Sequence, residues 1–402
     1  MDNAALIPDR GHLVVAGGGL AAARTCEEMR KRGFTGAITM LSDEPHPPYD
    51  RPPLSKGVLT GDTDPALAFD AAALDVDLRL GEPALGLDTN RRTVTTTRSE
   101  VGYDALVIAT GATPIRLPGN GSQSVLRTLT DARRVRQHLT PGSRVVLIGA
   151  GWIGAEVATA ALARGAQVTC IEAAAAPSAQ ALGTDAGTRL LLPWWSGVDL
   201  RLQTTVEKVT DREVLLSDGS AIPADLVVTG IGAHPETAWL RGSGIPVEGG
   251  IVVDEHLRTA VPGVLGLGDV AARWSPRWGA RIRTGHWDEA ANAATVVAQV
   301  LSSTPDDRLP VHDPVPYFWS DQFGHRCQYV GHHGREDTLM WREQRTGSPT
   351  AAWLAPDGRL VAALTIDRPK ELATVRRMIT NRIAVDPRLL ADPDTAVSAA
   401  QL

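Results

Sequence analysis

The chain has little sulfur. Its 402 residues include three cysteines, Cys26, Cys170 and Cys327, and five methionines. The cysteines are odd in number and widely spaced, with no Cys-x-x-Cys pair. This pattern argues against a disulfide scaffold, a structural zinc site and a dithiol redox centre, and it predicts a reducing compartment and no metal site. Lysine is also scarce: Lys31, Lys56, Lys208 and Lys370 are the only ones among 40 basic residues. No run of about 18 apolar residues occurs, and Met1–Gly11 has acidic and polar side chains but no apolar core, so neither a membrane span nor a secretory leader is expected. The expected location is the cytoplasm. Excess positive charge is lacking too. A formal net charge of −6 gives no overall field for a polyanion, so nucleic acid is not an expected partner.

What is present is an ordinary globular composition, 43% hydrophobic and 21% charged. At roughly 100 to 200 residues per domain, the length allows two to four domains around a small-molecule cleft. His12–Ala16 is a short apolar run entering Gly17-Gly18-Gly19, followed by the proline-free, alanine-rich stretch Leu20–Arg32 and a second apolar run, Ala37–Leu41. This reads as strand, tight turn, helix, strand. The same order recurs at Arg144–Ile148, Gly149 to Gly154, Ala155–Arg164 and Gln167–Ile171. Strands are also expected at Tyr103–Ala109, Leu226–Thr229 and Val264–Leu267, and a helix at Trp287–Leu301. Beyond Ser302 the texture changes to strand-like segments at Val315–Trp319, Arg326–Val330, Ala351–Ala355 and Leu360–Ile366, with one helix at Lys370–Thr380. The tail from Asp386 is expected to be loosely ordered.

The two glycine turns carry the chemistry. In Gly17-x-Gly19-x-x-Ala22 the first glycine permits the turn, the second lets backbone approach a pyrophosphate, and the small third residue allows close helix–strand packing. Asp43 lies about 20 residues further on, where a carboxylate accepts from ribose hydroxyls. Gly149-x-Gly151-x-x-Gly154 repeats the pattern, with Glu172 at the matching place. A carboxylate there repels a 2′-phosphate, and Ala173–Ala176 offers no arginine to bind one, so NADH is expected rather than NADPH. Two dinucleotide sites, the second inserted after residue 115, suit a flavoprotein that takes hydride from a nicotinamide.

Tyr49-Asp50-Arg51-Pro52-Pro53-Leu54-Ser55-Lys56, with Ala109-Thr110-Gly111, Leu126-Arg127-Thr128, Gly149 to Gly154, Gly268-Asp269 and Pro316-Tyr317-Phe318-Trp319-Ser320, resembles the FAD-dependent NADH:ferredoxin reductases of oxygenase systems over about residues 10 to 380. The resemblance implies an α/β fold with two Rossmann-like dinucleotide-binding domains and a C-terminal α+β domain. The expected boundaries are 1–115 with 245–310 for FAD, 116–244 for NAD and 311–402 for the last domain. It also implies FAD and NADH as cofactors and an iron–sulfur ferredoxin as electron acceptor.

Position by position, Lys56 matches the lysine beside the flavin, and Glu156 the glutamate that pairs with it. Trp319 matches an aromatic on the route to the acceptor. Asp269, Arg51, Arg127, Asp43 and Ala84 match flavin-nucleotide contacts, Ala21 and Gly232 fall among cofactor positions, and Trp287 offers a helix-start N–H to the flavin. Gly285, Ala22 and Glu236 depart from the family pattern. His286 is read as structural, because hydride transfer to flavin needs no side-chain acid or base. Related disulfide reductases and peroxidases carry a redox cysteine where Leu54–Gly57 stands, and here that place holds lysine. Arg273, Arg277, Arg281 and Arg283 are candidates for docking an acidic ferredoxin. The alternatives are a direct NADH-dependent quinone, radical or dioxygen reductase, and a redox-regulated flavin-bound interaction protein. Monomer and homodimer both remain open.

Overall fold

The computed structural model describes residues 6–402 except 62, 120 and 305. The chain is mixed α/β and divides into two compact units. The first comprises Met1–Asp50, Pro65–Thr113 and Ala233–Pro314. Its centre is a five-stranded sheet in which Val264–Gly266, Ala105–Ile108, His12–Ala16, Ala37–Leu41 and Val76–Arg79 lie side by side, all parallel. Leu13, Val14, Val15 and Ala16 are fully buried, as expected for a central parallel strand covered on both faces. The helices Leu20–Lys31 and Trp287–Leu301 pack together. Their buried faces are rich in alanine (Ala22, Ala294, Ala298), which lets the backbones approach closely. Two three-stranded sheets complete the unit: Ala84–Asp88, Thr93–Thr96 and Glu100–Gly102, and Ile251–Val253, Ala271–Ser275 and Ala280–Ile282.

The second unit comprises Arg51–Asp64, Pro114–Gly232 and Val315–Leu402. It contains a four-stranded parallel sheet ordered Asp199–Arg201, Gln167–Ile171, Arg144–Ile148, Leu226–Thr229. The helix Trp152–Ala163 packs on it. A small antiparallel sheet, Val206–Val209, Glu213–Leu216 and Ala221–Pro223, follows in the chain. The C-terminal part is a five-stranded antiparallel sheet in the order Tyr317–Gln322, His325–Gly331, Leu360–Ile366, Thr350–Leu354, Thr338–Arg342, with the helix Pro369–Thr380 against it. Among the described residues, no helix is long and apolar enough to cross a membrane.

Two expectations are corrected. The tail from Asp386 is folded: Asp386 caps the helix Pro387–Ala391 by accepting from the N–H groups of Arg388 and Leu389, and Leu390 and Ala400 are buried. Arg342 fastens this segment by donating to the carbonyls of Leu390, Asp392 and Thr395. Composition suggested disorder, but the cap, the buried apolar side chains and one buried guanidinium together supply the order. The second correction is Arg273, which is no docking residue. The alternation of the strand Ala271–Ser275 turns Trp274 outward and Arg273 inward, to 2% exposure.

There Arg273 donates to Glu289 at 2.7 Å and to Asp313 at 3.3 Å, and His312 lies 2.9 Å from the same Glu289 carboxylate. Burial alone would push the Glu289 carboxyl up, but His312 and Arg273 more than offset it and hold the group down at about 2. A carboxyl lowered in the folded state stabilises above its unfolded value near 4.3 and loses that contribution as pH falls toward 2. Glu289→Gln is expected to cost about 3 kcal/mol near neutral pH, because Arg273 is left buried without its nearest counter-charge, and to flatten the loss of stability between about pH 5 and 2.5. Urea unfolding across that pH range measures both effects.

Candidate functional site

In the first unit, steric constraints set the turn after the central strand. Gly17 has φ +136°, and a Cβ there would lie 2.2 Å from the Ala109 carbonyl oxygen. A Cβ on Gly18 would meet the Ser42 hydroxyl at 2.1 Å. Gly19 is the N-cap of the helix Leu20–Lys31, and no side chain caps that helix's first N–H groups. Ala22 is fully buried, so a methyl group satisfies the packing for which the motif commonly uses glycine. The turn bearing Asp269 comes close to this helix, since a Cβ on Gly268 would touch Ala21 at 3.4 Å. Asp43 stands exposed beyond the strand Ala37–Leu41, while its neighbour Glu44 accepts from the Tyr49 phenol. Ala84 opens a strand of the antiparallel sheet and packs on the unit's core. Trp287 begins its helix behind an N-cap, His286, that makes no side-chain cap bond, and its indole N–H donates to Asp50 at 2.8 Å.

The second turn follows the same logic. Gly149 has φ +102°, and a Cβ there would lie 2.5 Å from the Gly230 carbonyl oxygen. A Cβ on Gly154 would sit 2.0 Å from the Gly149 carbonyl oxygen, so helix and strand require a hydrogen at that position. Gly151 differs: a Cβ there would meet nothing within 4 Å. Open space beside an uncapped helix N-terminus is a cradle for an anionic group such as pyrophosphate. Glu172 accepts from the N–H of Ala150 at 2.7 Å and of Ala174 at 2.8 Å, so it also fastens the turn, a role the spacing rule alone did not suggest. Gly232, at φ +118°, accepts from the Ile115 N–H at 3.0 Å.

Lys56 and Glu156 are brought together in the same unit. The short 3-10 turn Pro52–Ser55, opened by Arg51, packs against the helix Trp152–Ala163, which carries Glu156. Glu156 is only 4% exposed. Its Oε2 accepts from the Lys56 ammonium at 2.9 Å and from the Ser55 hydroxyl, and its Oε1 accepts from the Ser320 hydroxyl at 2.6 Å. Ser55 and Ser320 lie inside the Arg51–Lys56 and Pro316–Ser320 runs, yet the sequence did not single them out, because a serine carries no signal until its partner is known. Trp319 sits next to Ser320 in the strand Tyr317–Gln322, and its ring stacks with Tyr317 at 6.2 Å between centroids. Arg127 immediately precedes the capping box of the helix Leu129–His138, in which Thr128 and Asp131 exchange hydrogen bonds.

All three cysteines are free and buried, and burial pushes each thiol up, Cys26 to about 12. A thiol held protonated in the core is no redox nucleophile.

Two pyrophosphate-type turns, each between a parallel strand and a helix, together with a half-buried lysine paired to a buried glutamate, define a dinucleotide-dependent oxidoreductase. The chain belongs to the pyridine nucleotide-disulphide oxidoreductase family, which matches residues 11–295, and it carries a reductase C-terminal domain at 317–400. It is 34% identical to the ferredoxin reductase component of chlorobenzene dioxygenase from Cupriavidus sp. (strain PS12), with 95% of each chain covered. It is 32% identical to putidaredoxin reductase from Pseudomonas putida, with 95% of this chain and 94% of that one covered. Among solved structures, Fdr9 superposes with a TM-score of 0.94 at 57% identity over 96% of this chain and 99% of that one. The reductase chain of the covalent putidaredoxin reductase–putidaredoxin complex gives a TM-score of 0.87 at 29% identity over 97% and 99%.

The role of Glu172 in the second turn is testable. Glu172→Ala leaves the N–H groups of Ala150 and Ala174 without their acceptor and is expected to cost about 1 to 3 kcal/mol. NADH affinity is expected to fall roughly tenfold with it, since about 1.4 kcal/mol is a factor of ten. Thermal unfolding and calorimetric NADH titration measure the two effects separately.

Proposed function

We propose that the chain is an FAD-dependent NADH:ferredoxin reductase that supplies electrons to an oxygenase through an iron–sulfur ferredoxin. The observation that carries this reading is the half-buried Lys56 held by the buried Glu156 in a chain with two dinucleotide turns and no redox disulfide. When bound, the flavin accepts hydride from the nicotinamide and releases electrons singly to a one-electron carrier.

The residues present fit both cofactors. In the first unit, the Gly17–Gly19 turn and the uncapped start of the helix Leu20–Lys31 suit the FAD pyrophosphate, and Asp43 and Asp269 supply acceptors for its hydroxyl groups. In the second, Gly151 leaves the cradle open for NADH, and Glu172 disfavours a 2′-phosphate. Lys56 presents an ammonium that stabilises the negative charge delivered with hydride, and Glu156 keeps that ammonium in place. The resemblance assigns Arg51, Arg127, Ala84 and the Trp287 N–H to flavin contacts as well, and Trp319 to the exit route. The dioxygenase reductase components and putidaredoxin reductase, which match this chain over nearly their whole length, support the ferredoxin assignment. An acidic chain with three free, buried thiols suits the cytoplasm.

A ferredoxin is acidic, and a chain of net charge −6 needs a local positive face to receive it. With Arg273 removed from the candidates, Arg277, Arg281 and Arg283 remain, on or beside the hairpin Ala271–Ser275 and Ala280–Ile282. Arg281 and Arg283 are exposed, and Arg281 pairs across the hairpin with the exposed Trp274. Charge around an exposed aromatic is the composition of a docking anchor.

Bound FAD and bleaching of its visible absorption by stoichiometric NADH are expected, as is cytochrome c reduction that rises with added ferredoxin. Fast quinone turnover with no response to any ferredoxin would sink the reading. The double variant Arg281→Glu, Arg283→Glu is expected to raise the ferredoxin KM about tenfold at low salt and to reduce its dependence on ionic strength, because the attraction that salt screens is gone. Stopped-flow flavin reduction by NADH is expected to stay unchanged in that variant.

A further inference from the structure

We propose that Ser320 is a positioning residue for the Lys56–Glu156 pair, with Gln322 directing its hydroxyl. The inference rests on the reductase reading but concerns only side chains of the second unit.

Glu156 is 4% exposed and has two oxygens to satisfy. Oε2 holds the Lys56 ammonium and the Ser55 hydroxyl. Oε1 has Ser320 at 2.6 Å. The terminal torsion of a glutamate is broad and roughly two-fold, so partners on a single oxygen leave the carboxylate plane free to swing. A donor on the second oxygen fixes that plane. Ser320 suits the task because it is itself immobilised. It is 1% exposed, and the Gln322 amide, 2% exposed, donates to its oxygen at 3.3 Å, which leaves the Ser320 proton for Glu156. Ser320 and Gln322 lie on the same face of their strand, two residues apart. The strand's far end is tied to the glutamate's own helix, where the Phe323 N–H donates to the Thr159 hydroxyl at 2.8 Å. The result is a directed chain, Gln322 to Ser320 to Glu156, that meets Lys56 from the opposite oxygen. Its effect is to keep the ammonium in one place, so that hydride transfer depends on it and dinucleotide affinity does not.

The test uses the FAD-loaded protein. Ser320→Ala is expected to lower the rate constant of flavin reduction at saturating NADH about tenfold while the KM for NADH stays within twofold, and Ser320→Thr, which keeps the hydroxyl, is expected to recover most of the rate. An independent readout is acetylation of lysine by an N-hydroxysuccinimide ester, followed by peptide mass spectrometry. With only Lys31, Lys56, Lys208 and Lys370 present, every site can be scored. Lys56 labelling is expected to rise severalfold in Ser320→Ala, with the other three lysines unchanged. Gln322→Leu is expected to move Lys56 labelling in the same direction by a smaller factor, which keeps the test alive if Ser320→Ala folds poorly. Unchanged Lys56 labelling in both variants, or an equal rise at all four lysines, overturns the proposal. Failure of ferredoxin-dependent turnover in the unsubstituted protein would overturn the reductase reading and leave the labelling result standing.

Discussion

The lysine–glutamate pair of the second unit depends on the burial of one carboxylate. Taking an isolated ionised glutamate out of water costs several kcal/mol after relaxation, which no local contact along a helix repays. The Glu156 carboxylate is repaid by an ammonium and two hydroxyls that come from 100, 101 and 164 residues away. The 3-10 turn Pro52–Ser55, the helix Trp152–Ala163 and the strand Tyr317–Gln322 must therefore all be in place before the charge pair exists. This dependence gives the segment Arg51–Asp64 its place in the second unit, although its chain neighbours on both sides belong to the first. It also ties the C-terminal sheet to the pair, since that sheet supplies Ser320.

The dinucleotide turns rest on a different constraint, the exclusion of side-chain volume. Gly17, Gly149 and Gly154 each face a carbonyl oxygen at a distance no Cβ tolerates, so steric contact sets the backbone that faces the pyrophosphates, with Glu172 adding its hydrogen bonds in the second turn. The departures from the family pattern each have a local reason. Ala22 is buried with room for one methyl. Gly285 has φ +65°, a conformation in which a glutamate would be strained, and the space beside it opens toward the Asp269 carboxylate, 3.9 Å from where a Cβ would lie. Glu236 accepts from the Thr113 hydroxyl at 2.6 Å, and its backbone carbonyl accepts from the Thr110 hydroxyl at 2.7 Å, so it braces the strand exit it faces.

These contrasts show what could be read from the sequence and what could not. His12–Ala16, Ala37–Leu41, Arg144–Ile148, Gln167–Ile171 and Leu226–Thr229 were legible to the residue, because parallel strands buried on both faces are unbroken apolar runs ended by glycine or a polar residue. The helix after Gly151 starts three residues earlier than the alanine run suggests, at Trp152, since the turn itself begins it. The small antiparallel sheets were not legible, being half-exposed strands of three to five residues with mixed composition. Arg273 shows the limit most clearly. Within an arginine-rich stretch it looks like surface, and what makes it core is Glu289, 16 residues on, and Asp313, 40 residues on. Ser320 was hidden for the same reason. A polar side chain is assigned by its partner, and its partner is set by the tertiary fold.

The choice of lysine at position 56 follows from the same geometry. All but four of the chain's 40 basic residues are arginine, so arginine is this protein's ordinary cation. A guanidinium, however, presents a planar fork that engages a carboxylate through both oxygens. At Glu156 such a fork would compete with Ser320 for Oε1, and it would spread its charge over a plane. The ammonium of Lys56 is a compact charge that needs only Oε2, which leaves Oε1 to the hydroxyl that fixes the carboxylate. Where related enzymes place a reactive thiol, this chain places a point charge held by the Glu156 carboxylate, and its own thiols are sealed in the core. A site built in this way offers no thiol nucleophile. It can only stabilise and orient, which is what passing electrons on to another protein requires.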